Sequence, residues 1–290
     1  MDLPDVTVIV PVLDNEGGLR ECLQGLQAQT YPRDSVTIVV ADNGSSPPLD
    51  AGRLGLPGVA IVRCERPGSY AARNEGAREA RGPVLAFTDA DCIPDADWIA
   101  RGVAALGAGD ANSIVGGEVL FQETRSRSGT SLYQLASGFG QQRNIECRGF
   151  SATANLFCTE QQFRNIGPFD ETLFSAGDRE WCWRAQSRGI GVRFEPRCVV
   201  RTLPRVRLRD AIRQARRVAA GRAQLGARKS SNSEGLRRER NLSESISWVW
   251  SIQSLSVRDR VRVLAAAAAI RIAAAAEGIR LRLGGPAERR

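Results

Sequence analysis

Asp89 and Asp91 stand two residues apart in A-F-T-D-A-D, at the end of an apolar run. On an extended chain residues at that spacing share a face, so both carboxylates can point the same way. Two hard oxygen donors suit Mg²⁺ or Mn²⁺, ions that keep waters and are completed by substrate phosphates. Arg73 follows Ser69 in S-Y-A-A-R-N-E-G, in the first turns of an expected helix that Ser69 would cap. An arginine there favours a phosphate oxygen. Asp42 closes a second apolar run and has two readings: acceptor for the N–H of a base such as uracil, or the residue that folds its own D-N-G-S turn. Asp178 and Glu180 lie in S-A-G-D-R-E-W-C-W-R-A beside Trp181 and Trp183. A carboxylate opening a helix is a cap, a general base, or both, since capping fixes its position. The neighbouring indoles are either core aromatics or faces for a sugar ring, and at i, i+2 on a helix at most one turns to a cleft.

These groups need a frame. Val6 to Val12 is a continuous valine-rich run, the mark of a strand buried on both faces of a parallel sheet. Leu19, Cys22, Leu23 and Leu26 then repeat at helical spacing. Ser35 to Ala41, Val59 to Cys64 and Val84 to Thr88 predict three more strands, with a helix from Ser69 to a stop at Gly82-Pro83. This alternation predicts an α/β sandwich with a mainly parallel sheet, whose ligands lie beyond the carboxyl ends of the strands. Asp14-Asn15-Glu16, Asp42-Asn43 and Asp89-Asp91 all fall at such ends. Further on, Ile114 to Leu120 predicts a strand, and Ser131–Gln142, Asp178–Ser187 and 207–226 predict helices. Residues 227–245 read as a mobile linker before a Trp-, Arg- and Ala-rich helical section.

Composition narrows the chemistry. The chain has 290 residues, 42% hydrophobic and 25% charged, and no histidine. Disorder is excluded as a global description, and so are His-based triads and His-ligated zinc. Seven cysteines form no C-x-x-C pair and predict reduced thiols in a cytoplasmic protein. The net charge of +8 is unevenly spread: residues 201–290 carry 21 Lys and Arg against 7 Asp and Glu, and the first 200 carry 19 against 25. An acidic body with a basic tail points to an anionic partner. Trp248 and Trp250 in S-W-V-W-S suit a membrane interface better than nucleic acid. Val257 to Leu283 predicts a helix lying on an anionic leaflet, or packing on the preceding α/β domain or a second copy. Its least polar stretch is interrupted by Arg271 and is not read as membrane-spanning.

Taken in order, P-V-x-D-N-E, V-V-A-D-N-G-S, S-Y-A-A-R-N-E-G, A-F-T-D-A-D and G-D-R-E-W-C-W-R-A resemble family 2 glycosyltransferases of the GT-A fold, over roughly residues 5–225. The resemblance implies a Rossmann-like α/β/α sandwich in residues 1–226, with a nucleotide-sugar half (1–113), an acceptor half (114–226) and a basic helical extension (227–290). It implies Pro11, Leu13 and Glu16 on the nucleotide-sugar side, Asp42 on the base, Arg73 on the diphosphate and Asp89 near the ribose and the metal. Asp91 would be the ligand of Mg²⁺ or Mn²⁺. Asp178 would be the base that deprotonates an acceptor hydroxyl, with inversion, and Glu180 and Trp181 would flank the acceptor. The implied partners are a UDP, dTDP or GDP sugar and a glycan or lipid-linked acceptor, in bacterial glycan, glycolipid or polysaccharide synthesis. The implied place is the cytoplasm or the inner face of the plasma membrane.

The chain departs from that pattern at one point. Relatives usually carry a further metal-ligating histidine on the strand after the catalytic helix, where this sequence reads C-V-V-R-T-L-P-R. Water could replace it, Arg201 could supply the charge instead, or the chain could be a weak or inactive relative that binds nucleotide or glycan. A nucleotidyltransferase would want a basic, Gly-rich loop after the first strand, and D-N-E-G-G has the wrong sign.

Overall fold

The computed structural model describes residues 3–50, 52, 58–108, 112–228 and 242–285. By contacts the chain divides into two compact units: Met1–Leu120, Gln141–Thr172 and Gly177–Thr202 in the first, Phe121–Gly140, Leu173–Ala176 and Leu203–Arg290 in the second.

The first unit is built on an eight-stranded sheet. Its strands are β1 (Val6–Val12), β2 (Val36–Asp42), β3 (Val59–Arg63), β4 (Val84–Thr88), β5 (Cys92–Pro94), β6 (Ser113–Phe121), β7 (Asn155–Thr159) and β8 (Gly191–Thr202). They run in the order β3-β2-β1-β4-β7-β6-β8-β5. The expected parallel arrangement holds across β3, β2, β1 and β4. Beyond β4 it changes: β7 pairs antiparallel with both β4 and β6, and β5 with β8. Every residue of β1 and β4 is buried, as runs of Val, Ile, Leu and Phe at the centre of a covered sheet should be. Helix α1 (Glu16–Gln27) is capped by Asn15, whose side chain accepts from Gly18 N, and buries Leu19, Cys22, Leu23 and Leu26. Helix α2 (Ser69–Arg78) packs on β1, β2 and β3, and α3 (Trp98–Ala108) on β4, β7 and β8.

Three local expectations are corrected. Helix α2 is not capped by Ser69: its N-cap is Gly68 at φ 114°, a backbone conformation that side chains disfavour. Its N–H donates instead to Asn43 Oδ1 at 2.7 Å. Nor does α2 reach Gly82; it ends at Arg78. The single helix expected over Ser131–Gln142 is two, α4 (Gly129–Ser137) and α5 (Gln141–Arg148), because Gly138 and Gly140 take positive φ.

Asn155 ties the antiparallel half together. Its Nδ2 donates to Glu118 O and Cys198 O, both at 2.8 Å, and its Oδ1 accepts from Trp98 Nε1 at 2.9 Å. A fully buried amide with all these partners rigidifies the core. Helices α6 (Glu160–Ile166, opened by a capping box at Thr159) and α7 (Gly177–Gln186) complete this unit.

The second unit is helical: α4, α8 (Leu208–Arg228), α9 (Leu242–Ser251) and α10 (Val257–Arg282). Helix α10 packs on α8, α4 and α9. Leu132, Val249 and Val263 form its centre, with Tyr133 and Trp248 against them. Trp248 is therefore a packing residue, while Trp250 is exposed. Of the expected linker, residues 229–241 lie outside the described residues, and the chain is helical on either side. No described helix is long and apolar enough to cross a membrane.

Candidate active site

The register places the acidic strand ends side by side. Val12 lies opposite Asp42 across β1 and β2, and Ile9 lies opposite Phe87 across β1 and β4, so Pro11, Asp42 and Asp89 reach one edge of the sheet. Pro11 is buried within β1, whereas Leu13 just past it is 54% exposed. The two loops that follow β1 and β2 are stapled: Asp14 N donates to Ser45 Oγ at 3.0 Å, and Ser46 N donates to Asp14 Oδ1 at 2.9 Å. Glu16, in the first turn of α1, pairs with Arg20 at 2.7 Å.

Asp42 is buried and folds its own turn. Its Oδ1 accepts from Ser45 N at 2.8 Å, and its Oδ2 accepts from Arg63 Nη1 at 2.6 Å and Leu49 N at 3.3 Å. Burial alone would raise its pKa, but these donors outweigh it and hold the carboxyl below the ordinary aspartate value.

Arg73 is buried on α2, and its Nη2 donates to Asp89 Oδ1. Its guanidinium carbon lies 5.7 Å from the centre of the Tyr70 ring, and its Nε has no hydrogen-bond partner. Asp91 is exposed, and one donor atom each from Asp89, Asp91 and Cys92 lie within 4.8 Å of one another. Burial, then the two aspartates, push the Cys92 thiol far up, so it stays protonated and faces Asp91 Oδ1 at 3.9 Å as a weak donor. The oxygen donors that remain fit a hard divalent cation completed by phosphate and water.

The departure from the histidine pattern has a location. Thr202 on β8 lies opposite Cys92, and Arg201 opposite Ile93. Thr202 is buried and lies beside the short strand that follows the acidic motif. Arg201 is turned elsewhere, with Nε and Nη2 on the two oxygens of Asp95 at 2.7 and 2.9 Å. Its charge is neutralised there, which corrects the expectation that it stands in for the metal.

Asp178 opens α7. The N–H of Gly177 donates to Tyr70 Oη at 2.8 Å, and that of Arg179 to Asp178 Oδ1 at 2.8 Å. A Cβ at Gly177 would lie 2.7 Å from the Tyr70 ring, so this end of α7 has no room for a side chain. Desolvation raises the Asp178 pKa; the nearby Arg73 and Arg179 oppose the shift and Asp89 adds to it. Asp178 therefore shares a field with the Arg73–Asp89 pair.

The acceptor residues fare differently. Glu180 is held by Arg184 through two contacts, 3.0 Å from Nε and 2.8 Å from Nη2, along the surface of α7. Trp181 is a correction: it is fully buried, donates from Nε1 to Gly167 O at 2.8 Å, and packs against Phe163 and Phe169. Its ring is core and offers no face to a sugar. Trp181→Ala is expected to cost about 3–5 kcal/mol of stability, read by urea unfolding, as for a large core aromatic. A ring stacked on acceptor would instead change KM and leave stability alone.

Tyr70 and Asn43 were missed. Tyr70 stands three residues before Arg73 in the same motif, on the same helix face, and that spacing was the available signal. Asn43 belongs in the sequence to the Asp42-Asn43 strand end, and the structure adds that it caps α2 from outside.

The chain belongs to glycosyl transferase family 2, whose model matches residues 7–164. It is 32% identical over 203 residues to glycosyltransferase AglE of Haloferax volcanii, covering 66% of this chain and 64% of that protein. It is 29% identical over 219 residues to the pre-mycofactocin glycosyltransferase of Mycobacterium tuberculosis, covering 72% of this chain and 44% of that one. The chain thus spans less than two thirds of the length of either relative. In fold it is similar to mannosyltransferase PcManGT of Pyrobaculum calidifontis, solved in complex with GDP-Man and Mn²⁺, at TM-score 0.60 and 22% identity over 98% of this chain and 80% of that one. It is also similar to residues 1–349 of S. aureus TarS, at TM-score 0.54 and 15% identity over 98% and 93%. These likenesses establish the GT-A fold.

Proposed function

We propose that the chain is an inverting glycosyltransferase that moves a sugar from a nucleoside-diphosphate sugar to an acceptor hydroxyl. The observation that carries this reading is a single cluster: the Arg73–Asp89 pair, the exposed Asp91 beside it, and Asp178 in their field with a raised pKa. Pro11, Leu13 and Glu16 line the nucleotide side. A base N–H meets Asp42 by replacing its longest contact, that from Leu49 N. Arg73 holds the diphosphate and Asp89 the ribose side. Asp91, beside Asp89, would hold a divalent cation, Mg²⁺ or Mn²⁺, whose positive charge would stabilise the leaving diphosphate.

Asp178 then acts alone as base. It takes the proton of the acceptor hydroxyl while that oxygen bonds to the anomeric carbon on the face opposite the departing phosphate. The sugar–phosphate C–O bond breaks and the nucleoside diphosphate leaves with the electron pair. One base suffices because the leaving group needs no protonation, unlike the two-carboxylate arrangement of a glycosidase. Desolvation strengthens the base at neutral pH, where a free aspartate would be a weaker one. The donors in view are UDP, dTDP and GDP sugars, and the acceptor is a glycan or a lipid-linked precursor of bacterial glycan synthesis, met at the cytoplasmic face of the membrane.

The test is ¹H NMR of the anomeric configuration of the glycoside formed from a panel of such donors. An α-linked donor is expected to give a β-linked product. A product that keeps the donor's configuration would overturn inversion. Nucleotide binding with no turnover of any donor would favour the second reading, a binding-only relative, for which the missing histidine is the motivating observation.

A further inference from the structure

Helix α10 is apolar on two opposite faces. The inner face buries Val263, Ala266 and Ala267. It also buries two carboxylates, each paired with arginine: Asp259 with Arg127 at 2.6 Å, and Glu277 with Arg280 at 2.5 Å. The outer face carries Val257, Val261, Ile272, Ile279 and Leu283, which are 57–83% exposed. At 100° per residue these five fall within an arc of about 80°, a stripe running the helix's length of about 39 Å. Exposed alanines fill the gaps between them, at 265, 275 and 276. Arg258 and Arg262 lie along one side of the stripe, Arg271 and Arg282 along the other.

Scattered exposed apolar side chains need no explanation, but a stripe of branched residues along one helix does. Among the described residues these five side chains stay exposed, while Leu132 of α4 and Val249 of α9 pack with Val263 of α10. We infer that the outer face of α10 is a docking surface for an anionic lipid bilayer, on which the helix lies in the plane of the headgroups. The charge pattern selects this occupant. The stripe is bordered by arginine on both sides, in a segment with a threefold excess of basic over acidic residues. Arginine stems cover apolar surface while their heads reach outward to phosphates, which is the geometry of an interfacial helix. Two copies meeting stripe to stripe by a twofold axis would bring those arginine rows together, at a Coulombic cost. Spanning is excluded for this helix, which is too polar to cross. The surface would hold a soluble enzyme beside a lipid-linked acceptor, but it stands independently of the catalytic reading.

The test is co-sedimentation of the full chain with vesicles of phosphatidylcholine containing about one third phosphatidylglycerol, against phosphatidylcholine alone. Binding is expected to the anionic vesicles and to fall with salt. Ile272→Asp combined with Ile279→Asp is expected to lower partitioning at least about tenfold. Both positions are exposed, so the melting temperature and nucleotide affinity should stay as in the wild type, which separates this proposal from the catalytic one. Ile272→Trp should add a blue-shifted emission component on anionic vesicles alone. The inference is overturned if the full chain stays in the supernatant at low salt. It is equally overturned if the double aspartate variant binds as well as wild type, or if that variant only converts a dimer to a monomer.

Discussion

Asp178→Asn is expected to lower the turnover rate by about three orders of magnitude while leaving nucleotide affinity within about twofold, the pattern of a group that acts only in the transition state. The substitution is close to isosteric. The asparagine Oδ1 can still accept from Arg179 N, and Tyr70 still holds the N–H of Gly177, so the start of α7 is kept. What disappears is the proton acceptor of the proposed mechanism. Because burial raises the Asp178 pKa, the acid limb of the rate profile should lie above the ordinary aspartate value of about 3.9. The rate falls as pH drops through that raised pKa, since the protonated carboxyl cannot take the acceptor's proton. The linked stability effect has the opposite sign. An aspartate whose pKa is higher folded than unfolded destabilises the fold once pH exceeds both values, and costs nothing below both. Asp178→Asn should therefore be at least as stable as wild type at pH 8, with the difference vanishing in acid. Rate measurements and thermal melts across pH check both halves. A variant that melts early would point to lost structure and remove the catalytic interpretation.

Asp91→Ala is the second large effect. Asp91 is exposed, so its removal should change stability by no more than about 0.5 kcal/mol. Arg73 remains paired with Asp89 and keeps the donor site's shape. The loss should be confined to metal-assisted binding: about 100-fold weaker nucleotide affinity in Mn²⁺, with little change without metal. Asp89→Ala would be a poorer test. It leaves the buried Arg73 guanidinium without its carboxylate and risks the fold itself.

Much of this site is legible in the chain because it sits where periodicity is strongest. β1, β2 and β4 are largely apolar runs; β2 ends in Asp42, Asp89 follows β4, and the register brings both to a common edge beside Pro11 of β1. The features that stayed hidden depend on partners distant in sequence. That Asn43, and not Ser69, caps α2 follows from a loop 25 residues away. That Trp181 is core follows from Gly167 and two phenylalanines, although its neighbours are the very acids that suggested a sugar platform. The antiparallel turn of the sheet at β7 leaves no mark in local hydrophobicity, since buried strands of either direction look alike. Arg201 illustrates the same limit. A lone arginine near a missing ligand invites a functional reading, and only the geometry shows Asp95 accepting from two of its nitrogens.

The central claim is a metal-assisted nucleotide site at the ends of β1, β2 and β4, and it is tested most directly by calorimetric titration. UDP, GDP and dTDP would be titrated into the wild type with and without Mn²⁺, and into Asp91→Ala. One nucleotide is expected to bind with metal-enhanced affinity that the variant loses. Binding indifferent both to metal and to Asp91, or no binding of any of the three, would contradict the account.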